Sequence, residues 1–122
     1  MKILVVDDDQ DQLIVRCMLF GHHGFETMRA GDAPAALRLA LAHHPDCAVI
    51  DVCLPTPTAG MSLIRELKAS LPGLIIFVLT GVDPERLRHY PEMQSVEEIV
   101  CKGSPSKILL DKLKRASANR AA

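Results

Sequence analysis

Asp7, Asp8, Asp51, Thr80 and Lys102 each follow a short apolar run, and their side chains together suit phosphoryl transfer. A carboxylate can accept a phosphoryl group and become an aspartyl-phosphate. An anion attacks a phosphate only if the negative charge is offset, and a hard divalent cation held by carboxylates does this. Two carboxylates ~4 Å apart repel by about 4 kcal/mol at an effective dielectric near 20. Asp7, Asp8 and Asp51 would therefore share one crevice comfortably only around a cation, for which Mg²⁺ is the natural choice. The Lys102 ammonium can pair with an acid before reaction and with a phosphoryl oxygen after it. Thr80 offers a hydroxyl donor to another such oxygen. Taken singly, each residue has a plainer reading. A strand-end Asp is commonly a turn former or helix cap, which is the reading kept for Asp9. A Lys there is commonly solvated, and a Thr before Gly81 is commonly a turn residue. The set outweighs those readings because four strand ends carry it in order.

The runs that deliver these residues are Ile3–Val6, Cys47–Ile50, Leu74–Leu79 and Ile99–Cys101. Short apolar runs bounded by turn formers read as buried strands. Helix-period segments lie between them. Leu13, Ile14, Cys17 and Met18 recur at helical spacing and stop at His22-His23-Gly24. Phe25–Ala30 is a weaker strand. Ala33–His43 reads as a helix with Asp32 as its N-cap and Pro45 as a stop. Met61, Ile64, Leu67 and Leu71 mark a third helix after a loop from Leu54 to Thr58. Asp83-Pro84 and Ser104-Pro105 each place a cap before a proline, which opens a helix. Ile108, Leu109 and Leu113 of the last helix should face inward. The order βαβαβαβαβα implies an α/β fold with a parallel sheet, right-handed crossovers and helices on both faces. In such a sheet the strand C-termini share one edge, where ligands bind.

The 122 residues suffice for one domain with a single core, and aromatic residues at 3% make that core aliphatic. Residues 1–116 read as the domain, with 117–122 as a frayed tail or the start of a linker. A net charge of −1 gives no electrostatic case for nucleic-acid or membrane binding. No apolar run approaches the ~20 residues of a membrane span, and the early first strand leaves no room for a signal peptide. Cys17, Cys47, Cys53 and Cys101 lack paired or zinc-like spacing and read as reduced thiols of a cytoplasmic protein. The pairs His22-His23 and His43-His44 fall at predicted helix C-termini, where the dipole favours an imidazolium, and read as caps rather than metal ligands. Lys107, Lys112, Lys114 and Arg115 form a solvated face of the last helix.

Val5-Val6-Asp7-Asp8, Asp51 with Leu54-Pro55, Leu79-Thr80-Gly81 and Val100-Cys101-Lys102 closely resemble the receiver domain of two-component response regulators. The resemblance spans nearly the whole chain and implies a flavodoxin-like (βα)5 doubly wound fold with five parallel strands in the order 2-1-3-4-5. By position it implies that Asp51 is the phosphoacceptor and Asp8 a direct Mg²⁺ ligand. Asp7 would reach the ion through water, and the Cys53 backbone carbonyl would complete the protein ligands. Thr80 would be the switch hydroxyl and Lys102 the phosphoryl-binding cation. The phosphoryl donor would be a sensor histidine kinase or a histidine phosphotransfer protein. Phosphorylation would shift a two-state equilibrium at the output face, acting on a partner or a downstream domain, with a homodimer among the family's options.

Several positions depart from the family pattern. Ile99 stands where an aromatic residue usually changes rotamer with the Thr, and Tyr90 is the one nearby ring. Gly103 replaces a common proline after the Lys and makes that loop more permissive. The loop Pro55–Gly60 runs one residue longer than usual. Pro91 would break a helix interior, so the fourth helix should be short, from Pro84 to Tyr90, with an irregular stretch through Ser95. Cys53 and Val82 occupy positions that tune phosphoryl lifetime in the family, and neither orients water well, so dephosphorylation should be slow. Two rival functions follow from the same residues. One is a degenerate receiver that acts as an interaction module without phosphorylation. The other is a phosphatase of the haloacid dehalogenase type, but Asp11 stands where its motif needs Thr or Val. The acidic pair it needs after Lys102 is also missing, apart from Asp111.

Overall fold

The computed structural model describes residues 1–121. Its elements run β1 (Lys2–Val6), α1 (Gln10–His22), β2 (Glu26–Ala30), α2 (Ala33–His43), β3 (Cys47–Asp51), α3 (Pro57–Ser70) and β4 (Ile75–Thr80). Two 3-10 turns (Pro84–Leu87 and Pro91–Ser95), β5 (Glu98–Cys101) and α4 (Ser106–Ala121) complete the chain. All five strands are parallel, in the order β2-β1-β3-β4-β5, as the sequence predicts.

The alternation of side chains along each strand builds two cores. Leu4, Val6, Ala48, Ile50, Ile76 and Val78 face α2, α3 and the 3-10 turns. Ile3, Val5, Val49, Phe77, Leu79 and Val100 face α1 and α4. Burying a side chain of this size contributes roughly 1.5–3 kcal/mol, so both layers clamp the central strands in place. Asp9 and Asp32 cap as expected, Asp9 accepting from the Asp11 and Gln12 amides and Asp32 from that of Ala35.

Four expectations about the helices need correction. First, the buried side of α1 is Leu13 and Phe20, while Ile14 and Met18 are exposed, because α1 lies against the sheet one residue round from the predicted stripe. Second, α3 begins at Pro57 with Thr56 as its N-cap, so residues 57–60 belong to the helix and not to a long loop. Third, α4 starts at Ser106, Ile108 points outward at 43% exposure, and Leu110 takes its place inside. Residues 117–121, expected to fray, form its final turns, and Arg120 reaches Asp46 at 3.2 Å; residue 122 lies outside the described residues.

The fourth concerns the helix expected between β4 and β5, from Pro84 to Tyr90, which is not an α-helix. Pro84–Leu87 and Pro91–Ser95 are 3-10 turns, and Tyr90 between them is extended (ψ 127°). A residue before proline is pushed out of the helical region, which separates the two turns. Leu87, Tyr90, Met93, Val96 and Ile99 recur every three residues, and all five pack on the α2–α3 side. Two separate turns joined through extended Tyr90 keep Leu87 and Met93 on that side, whereas one α-helix running through both would turn them about 120° away from each other.

Candidate functional site

Strand register assembles the site. Val6 pairs with Ile50, so the next residues, Asp7 and Asp51, stand side by side at the C-terminal edge. Asp51 pairs with Leu79, which puts Thr80 one residue further along the neighbouring strand. Thr80 pairs with Cys101, and Lys102 follows it, its amide donating to the Thr80 carbonyl at 2.8 Å. One oxygen each from Asp7, Asp8 and Asp51 fall within 4.8 Å of one another, the single such group of His, Cys, Asp or Glu among the described residues. Asp7 and Asp51 are buried and Asp8 is exposed, so the cluster opens to solvent on one side.

Both buried carboxylates are fully engaged. Asp51 Oδ2 accepts from Lys102 Nζ at 2.9 Å, and Oδ1 from the Cys53 amide at 3.2 Å. Asp7 Oδ1 accepts from the Asp9 amide at 2.9 Å. Its Oδ2 meets two cations, Arg16 Nη1 at 3.0 Å and Lys102 Nζ at 3.4 Å. The Thr80 hydroxyl, also buried, accepts from the Val82 amide at 3.1 Å, which leaves its own proton to donate.

These surroundings drive the acids apart. Burial works to raise Asp7, but the Asp9 amide, Arg16 and Lys102 outweigh it and hold the carboxyl below the usual carboxylate range. Burial raises Asp51 above that range despite Lys102 and the Cys53 amide, and the Asp7 charge adds to the rise. Burial would lower Lys102, but the hydrogen bond and charge of Asp51, with Asp7 behind them, raise it instead. Lys102 thus bridges the two acids, nearer to Asp51 than to Asp7, and Asp51 is the one whose charge its surroundings disfavour. The Cys53 thiol is exposed and pushed up by residual burial and by Asp51, so the residue meets the site through its backbone.

The residues present fit a hard cation. Three carboxylates converge with one side open, and oxygen ligands of this kind, completed by water, suit Mg²⁺. Two contributors have no counterpart in the sequence reading. Arg16 is one, although a signal existed: it lies three residues after Leu13 and four before Phe20, on the buried stripe of α1. Gly60 is the other. A Cβ there would sit 1.9 Å from the Val52 carbonyl oxygen, so only glycine lets α3 press on the strand-end backbone beside Asp51.

Asp9 is a helix cap, as the sequence predicts, and Asp111 sits on α4 opposite Lys107 (3.9 Å). Neither supplies the later acids of a haloacid dehalogenase site. Ile99 and Tyr90 are both half-buried in the α2–α3 core, with the Tyr90 ring stacked on His89. No helix among the described residues is long and apolar enough to cross a membrane.

The profile of the family described as "Response regulator receiver domain" matches residues 3–114. The probable transcriptional regulatory protein TcrX of Mycobacterium tuberculosis is 33% identical over 81 residues, covering 66% of this chain and 34% of that protein. The chain thus spans about a third of the length of the first curated relatives it matches. The polar-differentiation response regulator DivK of Brucella ovis is 29% identical over 107 residues, 88% of this chain and 74% of DivK. Among solved structures, a CheY-like receiver domain protein from Methanospirillum hungatei superposes with a TM-score of 0.87 at 22% identity, over 98% of this chain and 96% of the other. The response regulator TrrA from Thermotoga maritima, solved in complex with Mg²⁺-BeF, gives 0.84 at 22%, over 94% and 97%. At these identities the structural likeness speaks for the fold.

Proposed function

The chain belongs to the response regulator receiver family, and from that premise we propose that it is a switch thrown by phosphorylation of Asp51. The observation that carries this reading is the Lys102 ammonium, 2.9 Å from Asp51 and 3.4 Å from Asp7, with Asp8 beside them at the open edge. Asp8, Asp51 and the Cys53 carbonyl would hold Mg²⁺ directly, and Asp7 through water; the ion would offset charge between the carboxylate and the incoming phosphoryl group. The Mg²⁺-BeF bound by TrrA supports this choice of cation.

The transfer balances simply. An Asp51 oxygen attacks the phosphorus of a phosphohistidine, a P–O bond forms and the P–N bond breaks, and the departing imidazole takes up a proton. Lys102 then moves its hydrogen bond from the Asp51 carboxylate to a phosphoryl oxygen. Thr80 turns its free proton to another, drawing Gly81 and Val82 with it. The donor would be a sensor histidine kinase or a histidine phosphotransfer protein, and the setting cytoplasmic. The output is a partner or a domain beyond residues 1–116, with a homodimer as one form it can take. Relatives named as transcriptional regulators support an output of the second kind.

One experiment tests the reading. Incubation with acetyl phosphate and Mg²⁺ should place acid-labile phosphate on the wild-type chain and none on Asp51→Asn. Labelling of neither would favour a phosphorylation-independent interaction module, and equal labelling of both would place the acceptor on a residue other than Asp51. The same label should decay slowly, because Cys53 and Val82 offer no water-orienting group; a half-life of seconds would remove that part of the proposal.

A further inference from the structure

Arg16 is a helix residue, yet its side chain is only 12% exposed and its guanidinium lies 3.0 Å from an Asp7 carboxylate that is wholly buried. With Lys102 it brings two positive charges to the same oxygen, Asp7 Oδ2. Asp7, Asp8 and Asp51 carry three negative charges, so Arg16 and Lys102 leave the cluster with a net charge of −1 before any ion arrives. A divalent cation entering this cluster would meet a guanidinium already holding the carboxylate it needs. Arg16 also has somewhere else to go. Its Nη2 is 3.5 Å from Gln12 Oε1. Beside it opens a cavity of about 140 Å³ lined by Gln12, Val15, Leu79, Cys101 and Pro105.

We infer that Arg16 is a tethered counterion of the cation site: it holds Asp7 while the site lacks metal, yields toward Gln12 and the adjoining cavity when Mg²⁺ binds, and thereby raises the Mg²⁺ concentration this protein requires. The inference rests on the proposed role of Asp7, Asp8 and Asp51 as cation ligands. Arg16 is then a positioning residue that acts through Asp7. It makes phosphorylation depend on Mg²⁺ over a higher concentration range than the carboxylates alone would set.

The test is titration of the purified chain with MgCl2, followed by calorimetry and by the amide resonances of Asp8 and Cys53. Arg16→Gln should bind Mg²⁺ about tenfold more tightly than wild type, the lower end of what one charge within ~4–6 Å does to a neighbouring acid. Arg16→Lys, which keeps the charge, should stay within about threefold of wild type by the same reasoning. Equal or weaker binding by Arg16→Gln overturns the inference, as does binding by Arg16→Lys as tight as that of Arg16→Gln. A measurement on the wild type stands even if a variant folds poorly. Saturating Mg²⁺ should shift the Arg16 side-chain N–H resonances, and resonances that stay in place overturn the inference. If wild type binds Mg²⁺ and Arg16→Gln binds no better, only this inference fails. If neither binds Mg²⁺ at all, the cation reading of the site fails and takes the inference with it.

Discussion

At the acid edge, both oxygens of Asp7 and both of Asp51 have partners, fixed by strand register, by the first residues after a strand or by Arg16 of the packed helix α1. The Pro84–Ser95 segment leaves the same edge from β4 and is held quite differently. Asp83 caps its first turn, no side chain caps its second, and only Leu87 and Met93 are buried. The chemistry therefore sits on backbone that the whole sheet determines, while the adjoining face rests on a few side chains. Changes cost much in the first region and little in the second. That is why the second can depart from the receiver pattern while the first keeps it.

The largest effect should follow from Gly60→Ala. The added methyl would lie 1.9 Å from the Val52 oxygen and 2.7 Å from its carbonyl carbon, both backbone atoms with no rotamer to escape by. Either α3 or the strand-end backbone must shift, at a cost of about 3 kcal/mol. Urea unfolding measures this directly. A loss below about 1 kcal/mol would show that the backbone beside Asp51 yields as easily as the Pro84–Ser95 segment.

The second effect has the opposite sign. Asp51 titrates above the usual carboxylate range because burial disfavours its charge. The folded state therefore holds the Asp51 proton more tightly than the unfolded chain does. Its contribution is fully present below the ordinary carboxylate value and is lost as pH rises through the raised one. Asp7, held low, contributes the reverse, lost as pH falls through its lowered value. Without metal at neutral pH, Asp51→Asn should remove the unfavourable charge and leave Lys102 paired with Asp7. The expected rise in Tm is about 3 °C, with no further fall in stability as pH climbs past the carboxylate range. A lower Tm for the variant would mean that the Lys102–Asp51 pair outweighs the burial of its acid.

The same contrast governs what could be read from the sequence. The strand ends were legible because an apolar run that stops on Asp, Thr or Lys has one natural fold, and the parallel sheet gathers those ends on one edge. Caps at Asp9 and Asp32 were legible because capping is local. Arg16 was not, because a helix arginine is normally solvated and the apolar spacing of the segment runs through Ile14 and Met18 as well as Leu13. Those two are exposed, and the true stripe of Leu13, Arg16 and Phe20 carries a charge to Asp7. Gly60 escaped because its role depends on how closely α3 approaches Val52, a distance no spacing encodes. In the Pro84–Ser95 segment the break at Pro91 was legible, but not that the pieces on both sides are 3-10 turns. A cap followed by proline opens a 3-10 turn as readily as an α-helix, and only the three-residue period of Leu87, Tyr90, Met93, Val96 and Ile99 distinguishes them.

That period also sets the smallest effect. If Pro91 alone broke the fourth helix, Pro91→Ala would restore it, adding helical signal at 222 nm and some stability. The pattern argues otherwise. Leu87, Tyr90 and Met93 reach one side of the sheet only because two short turns are joined through extended Tyr90. An α-helix through residue 91 would need to turn either Leu87 or Met93 out of the core, giving up roughly 1.5–3 kcal/mol for each buried side chain. A proline-to-alanine change returns only a few tenths of a kcal/mol to about 1, and part of that acts through the unfolded chain. Packing therefore wins, and Pro91→Ala should leave the circular dichroism unchanged and move stability by less than about 1 kcal/mol. A gain of one or more helical turns would locate the break in the proline itself. An unchanged spectrum locates it in the spacing of five apolar residues, which a single substitution does not alter.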